Sequence, residues 1–186
     1  MMNGNNSMFK KLVFAFAITL AASLTAAAQQ KEPKTVRDFF MSLPEQYFSL
    51  DCCLYKRTYR QAKIEYLKRY LMVEDTPNGF MSGGGDAAQE GFEMALFKRA
   101  DGSYLVALYT YGEGGIEDTP WCKFLDYSKG KWTDVSRRVV PDYSKEKYEY
   151  KLPRRGTTIE VYTKVEEGEP TKLYDLVWNK SRFVRN

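Results

Sequence analysis

The sequence of 186 residues contains no histidine. This absence excludes Ser-His-Asp and Cys-His nucleophile pairs, HExxH zinc sites and proton shuttles that depend on imidazole. Catalysis would have to use carboxylates, lysine, tyrosine or a bare thiolate. Because no nucleophile motif accompanies those residue types, we favour a non-catalytic role over an enzymatic one, and we expect no metal and no cofactor.

Long apolar runs are also missing, since a membrane span takes roughly 20 apolar residues. The run "LVFAFAITLAASL" follows Lys10 and Lys11 and precedes "TAAAQQ". A basic start, a short apolar core and small residues before the cleavage point are typical of a secretory signal peptide. We expect residues 1–28 to be a cleaved signal peptide and the rest to be exported, periplasmic or secreted, with no transmembrane segment. The alternative is an uncleaved N-terminal anchor.

Cysteine is scarce, with Cys52, Cys53 and Cys122 as its three occurrences. An odd number in an exported protein leaves at least one thiol free or paired between chains. An oxidising compartment favours a disulfide from Cys122 to Cys52 or Cys53, and three buried thiols are the alternative. Thiol-redox chemistry is the weakest hypothesis, because adjacent cysteines lack the CxxC spacing.

A large charge excess is absent too. The predicted signal peptide carries two of the 28 basic residues and no acidic residue, so 26 basic and 24 acidic residues remain. Nucleic-acid binding usually requires a clustered basic face, which we do not expect here. The short basic patches "SRR" and "RRGTT" are interpreted as solvated turns. Residues 29–186 suffice for a single domain with a real core.

What the chain does contain is an ordered series of helix and strand patterns. Thr35 can cap a short helix in "TVRDFFMSLPEQYF", and a second helix is predicted in "TYRQAKIEYLKRYL", with Ile64, Leu67 and Tyr70 on its apolar stripe. Strand and turn patterns follow to the C-terminus, and the clearest hairpin, residues 91–111, turns at Asp101-Gly102. The predicted fold class is α+β: one or two N-terminal helices packed on a long antiparallel meandering sheet.

Three of these stretches together resemble a known kind of protein. "TVRDFFMSLPEQYF", "GDAAQEGFEMALFKRADGSYLVAL" and "KLYDLVWNKSRFV" look like small exported proteins of unknown function from Gram-negative anaerobes of the Bacteroides type. The resemblance covers most of the exported part and implies export and a helix-then-sheet order. It carries no catalytic signature, so it implies no functional residue.

The glycine-rich stretch "SGGGDAAQEG" does not fit a phosphate-binding loop. A P-loop requires GxxxxGK[ST], and no lysine follows these glycines. The dinucleotide fingerprint GxGxxG is also absent, and a calcium-binding EF-hand needs more oxygen ligands at alternate positions.

Acidic residues near this stretch and in the second glycine loop, "YGEGGIEDTPWC", provide another candidate site. Because an antiparallel hairpin brings its entry and exit side by side, acids before strand 91–98 and after strand 104–111 could share one rim. The candidate ligand-binding residues are Asp86, Glu90, Glu113, Glu117, Asp118 and Trp121. The simpler alternative is that these acids keep the loops soluble, and most aromatic residues are expected in the core. Trp121 is expected to be exposed.

Two functions remain open. The favoured one is an exported, non-catalytic binding or interaction domain whose partner is a protein or a glycan of the cell envelope. The alternative is a carboxylate-based enzyme acting on glycans, which predicts a cleft and one carboxyl group with a raised pKa.

Overall fold

A computed structural model describes residues 32–50, 58–85, 90–112, 120–165 and 167–186. Residues Pro33–Asn186 form one compact unit. Its described part is mostly antiparallel sheet with a few short helices, so the predicted α+β class is confirmed. None of the helices described in these ranges is long and apolar enough to cross a membrane.

The larger sheet has six strands that are hydrogen-bonded in chain order, each antiparallel to the next. They are β1 (Leu71–Asp75), β2 (Phe80–Gly83), β3 (Gly91–Lys98), β4 (Tyr104–Tyr111), β5 (Trp121–Ser128) and β6 (Lys131–Asp134). Every connection between neighbours is therefore local, as in a meander.

The smaller sheet has four strands in the order β10-β9-β8-β7. They are β7 (Tyr148–Lys151), β8 (Thr158–Thr163), β9 (Lys172–Trp178) and β10 (Phe183–Arg185). The strands thus divide between two sheets, and the expectation of one long sheet is wrong. The division falls in residues 135–147, where the chain leaves the strand pattern for a short helix and turns.

Turn residues explain why the hairpins bend where they do. Gly102 has φ +86°, a left-handed conformation that is free of steric cost only for glycine. Asp101 Oδ1 accepts hydrogen bonds from the backbone N and the hydroxyl of Ser103, which closes the predicted turn of the 91–111 hairpin. A turn at Lys129-Gly130 joins β5 to β6, with both residues at positive φ.

Within the described ranges, two α-helices precede the larger sheet, α1 (Val36–Ser42) and α2 (Tyr59–Tyr70), and a third, α3 (Ser136–Val139), follows it. Thr35 and Asp38 form a capping box at the start of α1, as predicted. Helix α2 also begins with a capping box, but its buried face differs from the predicted stripe. Ile64 is 39% exposed, and Lys63 and Tyr66 are buried in its place beside Leu67.

The larger sheet is covered on both faces. Its helix-side core combines residues of α1 and α2 with one face of the sheet, including Phe40, Met94 and Leu108. Its inter-sheet core combines the opposite face with α3 and the smaller sheet, including Phe97 and Phe124. Burial on both faces explains why β3 and β4 are almost continuously apolar and do not alternate with polar residues.

Lys63 anchors the end of α1 from inside the helix-side core. Its side chain is 2% exposed, and Nζ donates to the carbonyl oxygens of Phe40, Met41 and Leu43 at 3.1, 2.6 and 2.7 Å. Burial lowers the pKa of this ammonium, whereas the three carbonyl acceptors favour its charged form. These bonds give a donor to the carbonyls of Met41 and Leu43 at the helix terminus, and a second donor to the carbonyl of Phe40, which also accepts from the backbone N of Leu43.

Candidate functional site

The strand ends from which the predicted loop rim would extend are neighbours in the larger sheet. Gly91 pairs with Tyr111 across β3 and β4, so the segments before β3 and after β4 leave the same end of the hairpin. The predicted site residues Asp86, Glu113, Glu117 and Asp118 lie outside the described residues. Their grouping into a binding site therefore stays a prediction.

The two candidate residues that are described are both buried. Glu90 is 2% exposed, and its Oε2 accepts a hydrogen bond from the backbone N of Ser49 at 3.1 Å. Trp121 is also 2% exposed and packs in the helix-side core, so the expectation that its indole is exposed is wrong. The cause is the two-sided burial of the larger sheet, because β5 has no solvent-facing side at this position.

Cys122 is buried in the inter-sheet core and has no disulfide partner in the parts of the chain that the structure describes. Cys52 and Cys53 lie outside those parts, so the predicted bridge is neither supported nor contradicted. Leu50 and Tyr59, which flank that segment, pack in the helix-side core on the other face of the sheet. Burial raises the pKa of the Cys122 thiol well above its ordinary value, which makes the thiolate scarce at neutral pH.

A polar row crosses the inter-sheet face of the larger sheet. Ser82, Glu93 and Tyr109 are directly paired across β2, β3 and β4. The row below it on the same face is apolar and also in register, with Phe80 paired to Ala95 and Ala95 paired to Ala107. Two residues further along each of these strands, the side chains on the inter-sheet face thus change from apolar to polar.

This polar row faces two cavities between the sheets. One has a volume of about 550 Å³ and is bounded by Ser82 and Glu93 on the larger sheet and by Glu160 and Asp175 on the smaller one. The other has a volume of about 420 Å³ and is lined by side chains from both sheets: Glu93, Tyr109, Glu149, Tyr150, Lys151, Tyr162 and Pro170. Glu93 and Lys151 line both cavities, so we call the whole the inter-sheet cleft.

Glu93 is the electrostatic centre of the inter-sheet cleft. Burial raises the pKa of its carboxyl group above the ordinary value; Lys151 acts against this shift, and Glu149 adds to it. Burial also raises the pKa of the Tyr109 hydroxyl, with the charge of Glu149 as the next cause. Both shifts favour neutral, hydrogen-bonding groups at the floor of the cleft.

The charges on the other wall are largely neutralised among themselves. Glu160 lies 3.7 Å from the ammonium of Lys151 and 2.9 Å from that of Lys172. Lys172 also lies 2.9 Å from Oδ1 of Asp175. The wall therefore offers many donors and acceptors but little uncompensated charge.

Sequence analysis missed Glu93, although the sequence holds a signal for it. The strand "GFEMALFK" carries apolar residues at positions facing both sides of the sheet, since Phe92 and Met94 face the helices and Ala95 and Phe97 face the smaller sheet. One glutamate inside a strand that is apolar on both faces indicates a buried carboxyl group. Across the described ranges, no group of three or more histidine, cysteine, aspartate or glutamate residues is placed to hold a metal ion.

Comparison with known protein families finds no match, and comparison with curated proteins finds none either. Among solved structures, the chain is weakly similar to a domain of an uncharacterized protein from Porphyromonas gingivalis W83. The identity is 11%, the alignment covers 79% of this chain and 95% of that domain, and the TM-score is 0.44. A similarity this weak carries no argument about the family or the function of this chain.

Proposed function

We propose that the protein is an exported, non-catalytic binding domain and that the inter-sheet cleft takes a neutral polar ligand, such as a sugar unit of an envelope glycan. The observation that carries the proposal is the change from an apolar row to the polar row Ser82, Glu93 and Tyr109 inside the molecule. Leaving polar groups between two sheets costs free energy unless they acquire partners, and a ligand would supply those partners.

The chemistry of the cleft favours a polyhydroxyl ligand over an ion. Sugar hydroxyls both donate and accept, so they match a surface of carboxylates, tyrosine hydroxyls and Lys151. An ionic ligand would require a surplus of the opposite charge, whereas Glu160 and Asp175 already share the ammonium of Lys172. Tyr109 and Tyr162 add aromatic surface on which a sugar ring can pack.

The test is a glycan array followed by titration calorimetry with the purified protein. The double variant Glu93→Gln/Lys151→Gln keeps the shape of the cleft, replaces the Glu93 carboxyl group by an amide and removes the charge of the Lys151 ammonium. We expect about tenfold weaker glycan binding, because hydrogen bonds to charged groups contribute about 1.5–3 kcal/mol. The matched control is Glu65→Gln/Lys68→Gln, an ion pair of the same residue types on the surface of α2.

Unchanged affinity in the cleft variant would refute the proposal. An equal loss in the control variant would also refute it, since the effect would then reflect overall charge. If the purified protein binds no glycan on the array, the assignment of this ligand class fails.

One observation favours the enzymatic alternative as a second candidate. Glu93 has a carboxyl group with a raised pKa and shares a cavity with Glu149, which is the pairing that an acid and a base on a glycoside require. Mass spectrometry of any bound glycan after incubation would detect hydrolysis. Cleavage products that disappear in both Glu93→Gln and Glu149→Gln would replace the binding proposal with the enzymatic one.

A further inference from the structure

The tight turns that close the hairpins lie at one end of both sheets. In the larger sheet, Leu105 pairs with Asp126, so the β3–β4 and β5–β6 turns leave the same end, and the β1–β2 turn lies on that side too. In the smaller sheet, Thr158 pairs with Val177, which makes neighbours of the β7–β8 and β9–β10 turns. The opposite ends of β3 and β4 lead into the two glycine loops.

Contacts between the sheets join these turns into one surface. The backbone N of Ala100 in the β3–β4 turn donates to the carbonyl oxygen of Lys180 in the β9–β10 turn at 3.3 Å. The side chains of Arg154 and Asp75 pair at 3.1 Å and connect the β7–β8 turn to the β1–β2 turn. We call this surface the turn end, and it comprises residues 75–79, 98–103, 128–131, 152–158 and 179–182.

The basic residues of the turn end fall into two groups. In the first group, Arg154 pairs with Asp75. Arg99 and Arg138, which reaches the turn end from α3, both pair with Asp126. The second group consists of six exposed cations with no ion pair or side-chain hydrogen bond to any residue in the described ranges: Lys98, Lys129, Lys131, Arg155, Lys180 and Arg182. The patch "RRGTT", interpreted from the sequence as a solvated turn, is thus one part of a larger basic surface.

The surplus of positive charge remains when every carboxylate keeps its full charge. Asp101 is the third acid at the turn end, so nine basic and three acidic residues give a net charge of +6. Further along the smaller sheet, two acids and two lysines pair with one another and leave this value unchanged: Glu160, Asp175, Lys151 and Lys172. The predicted exported part of the chain has 26 basic and 24 acidic residues, so the rest of it carries a net charge of −4.

Two of the six unpaired cations occupy positions that favour glycine. Lys129 and Lys180 have φ +50° and +72°, in the left-handed region that is costly for a residue with a Cβ. Gly102 and Gly156, at φ +86° and +82°, provide the same kind of conformation in neighbouring turns without that cost. The backbone conformation alone therefore does not explain a lysine at either position, whereas attraction to an anionic partner does.

From this charge distribution we propose that the turn end docks on an anionic lipid surface. Six cations spread over the turns of both sheets suit a plane of headgroups, because each lysine or arginine near such a plane adds to the attraction. The negative balance of the remaining chain disfavours contact through the other faces. The protein therefore stands on its turn end, with the strand ends that lead to the glycine loops directed away from the lipid.

Two observations favour a lipid surface over a small anionic ligand. None of the six unpaired cations lines the inter-sheet cleft, and Lys98, Lys131 and Arg155 belong to three different turns. A single phosphate or sulfate group requires donors that converge on one point, whereas these are distributed. The exposed large apolar side chains of the described ranges all lie outside the turn end, so docking depends on charge and not on insertion. The inference does not rest on glycan binding in the cleft.

The test is co-sedimentation of the purified protein with vesicles of phosphatidylcholine alone and of phosphatidylcholine mixed with phosphatidylglycerol. We expect binding to the mixed vesicles alone, and loss of that binding when sodium chloride is added, because salt screens exposed charges. The variant Lys98→Gln/Arg155→Gln/Arg182→Gln removes three unpaired cations. It should bind the mixed vesicles about a hundredfold more weakly, the combined effect of three charges near an anionic surface.

The matched control is Arg60→Gln/Arg69→Gln/Lys147→Gln, which removes two arginines and one lysine that are also exposed but lie outside the turn end. It should bind as the parent protein does. Equal losses in the two variants, equal binding to both kinds of vesicle, or no binding to either at low salt would overturn the proposal. Binding to soluble dextran sulfate without binding to the mixed vesicles would also overturn it, because the partner would then be a polyanionic chain.

Discussion

The two faces of the larger sheet are covered in different ways. On the helix side, Phe40, Phe48 and Phe92 pack closely, with ring centroids 4.5–5.5 Å apart, and the buried ammonium of Lys63 donates to three backbone carbonyls. On the inter-sheet side, the aromatic packing around Phe124 gives way within one residue pair to Glu93 and Tyr109.

Under the proposed function, the helix-side face serves stability and the inter-sheet face serves ligand binding. On the helix side, the donors of the buried Lys63 ammonium are matched by carbonyl oxygens of the protein itself. Polar groups on the inter-sheet side line open cavities, where they can form hydrogen bonds with a ligand. The following changes test this division, beginning with the largest expected effect.

Phe40→Ala should destabilise the fold most. The side chain is 0% exposed, and its ring stacks on Phe92 at 4.5 Å. Loss of a fully buried phenyl group, with the cavity that remains, should lower the free energy of unfolding by about 4 kcal/mol. Urea denaturation followed by fluorescence measures this. A loss below about 1 kcal/mol would contradict the view that the helix side is the stabilising face.

Lys63→Met should have the next largest effect. Methionine fills a similar volume but leaves the carbonyls of Phe40, Met41 and Leu43 without their common donor. We expect a loss of about 2 kcal/mol, the cost of burying acceptors without partners. Lys68→Met, an exposed position on the same helix, is the control in the same denaturation experiment. Equal stability of the two variants would show that the hydrogen bonds from Lys63 to the end of α1 do not contribute to the free energy of unfolding.

Glu93→Gln should change the dependence of stability on pH more than stability itself. The folded-state pKa of Glu93 is raised, so the folded protein retains a proton that the unfolded chain releases. The stabilisation that this carboxyl group contributes is therefore complete below its unfolded pKa and is lost as pH rises through the folded pKa.

The glutamine variant should accordingly gain stability relative to the parent protein as pH rises from 4 to 7. Thermal denaturation at several pH values measures the difference, with Glu65→Gln as the control. If the difference between Glu93→Gln and the parent does not vary with pH, Glu93 does not have the raised pKa on which the cleft argument depends.

The smallest effect is expected at Cys122, whose thiol should not react with an alkylating reagent in the folded protein. The side chain is 2% exposed, and its pKa is well above the ordinary range. Mass spectrometry after labelling with and without denaturant shows whether Cys122 reacts in the folded protein or only after unfolding. Labelling of the folded protein at Cys122 would contradict its burial, and labelling of all three cysteines in denaturant without reductant would contradict the predicted disulfide.

Much of the local structure was predictable, because it depends on residues that act within one turn. The Asp101-Gly102 turn and the cap at Thr35 both follow from such short-range chemistry. Alternation along β9 likewise marks Tyr174, Leu176 and Trp178, which are all buried.

The division into two sheets was not predictable in this way. Whether a meander continues as one sheet or begins a second depends on how the layers pack. The residues of a single turn do not determine this packing. Trp121 illustrates the same limit: its neighbours in the sequence are glycines and acids, but its surroundings come from the distant helices α1 and α2. Glu93 was missed because its importance depends on Ser82 and Tyr109, which only the register of the strands brings together.

Strict chain order within each sheet has a consequence for how the molecule assembles. A chain that emerges N-terminus first can pair each of β1 to β6 with the strand just completed, so few long loops must close. The smaller sheet follows from residue 148 onward and buries the remaining apolar face of the larger one. Until the strands of the smaller sheet have folded, the side chains of Phe80, Phe97 and Phe124 remain exposed to solvent. The interval before docking is therefore the aggregation-prone stage of biogenesis, and the cleft is the last feature to exist.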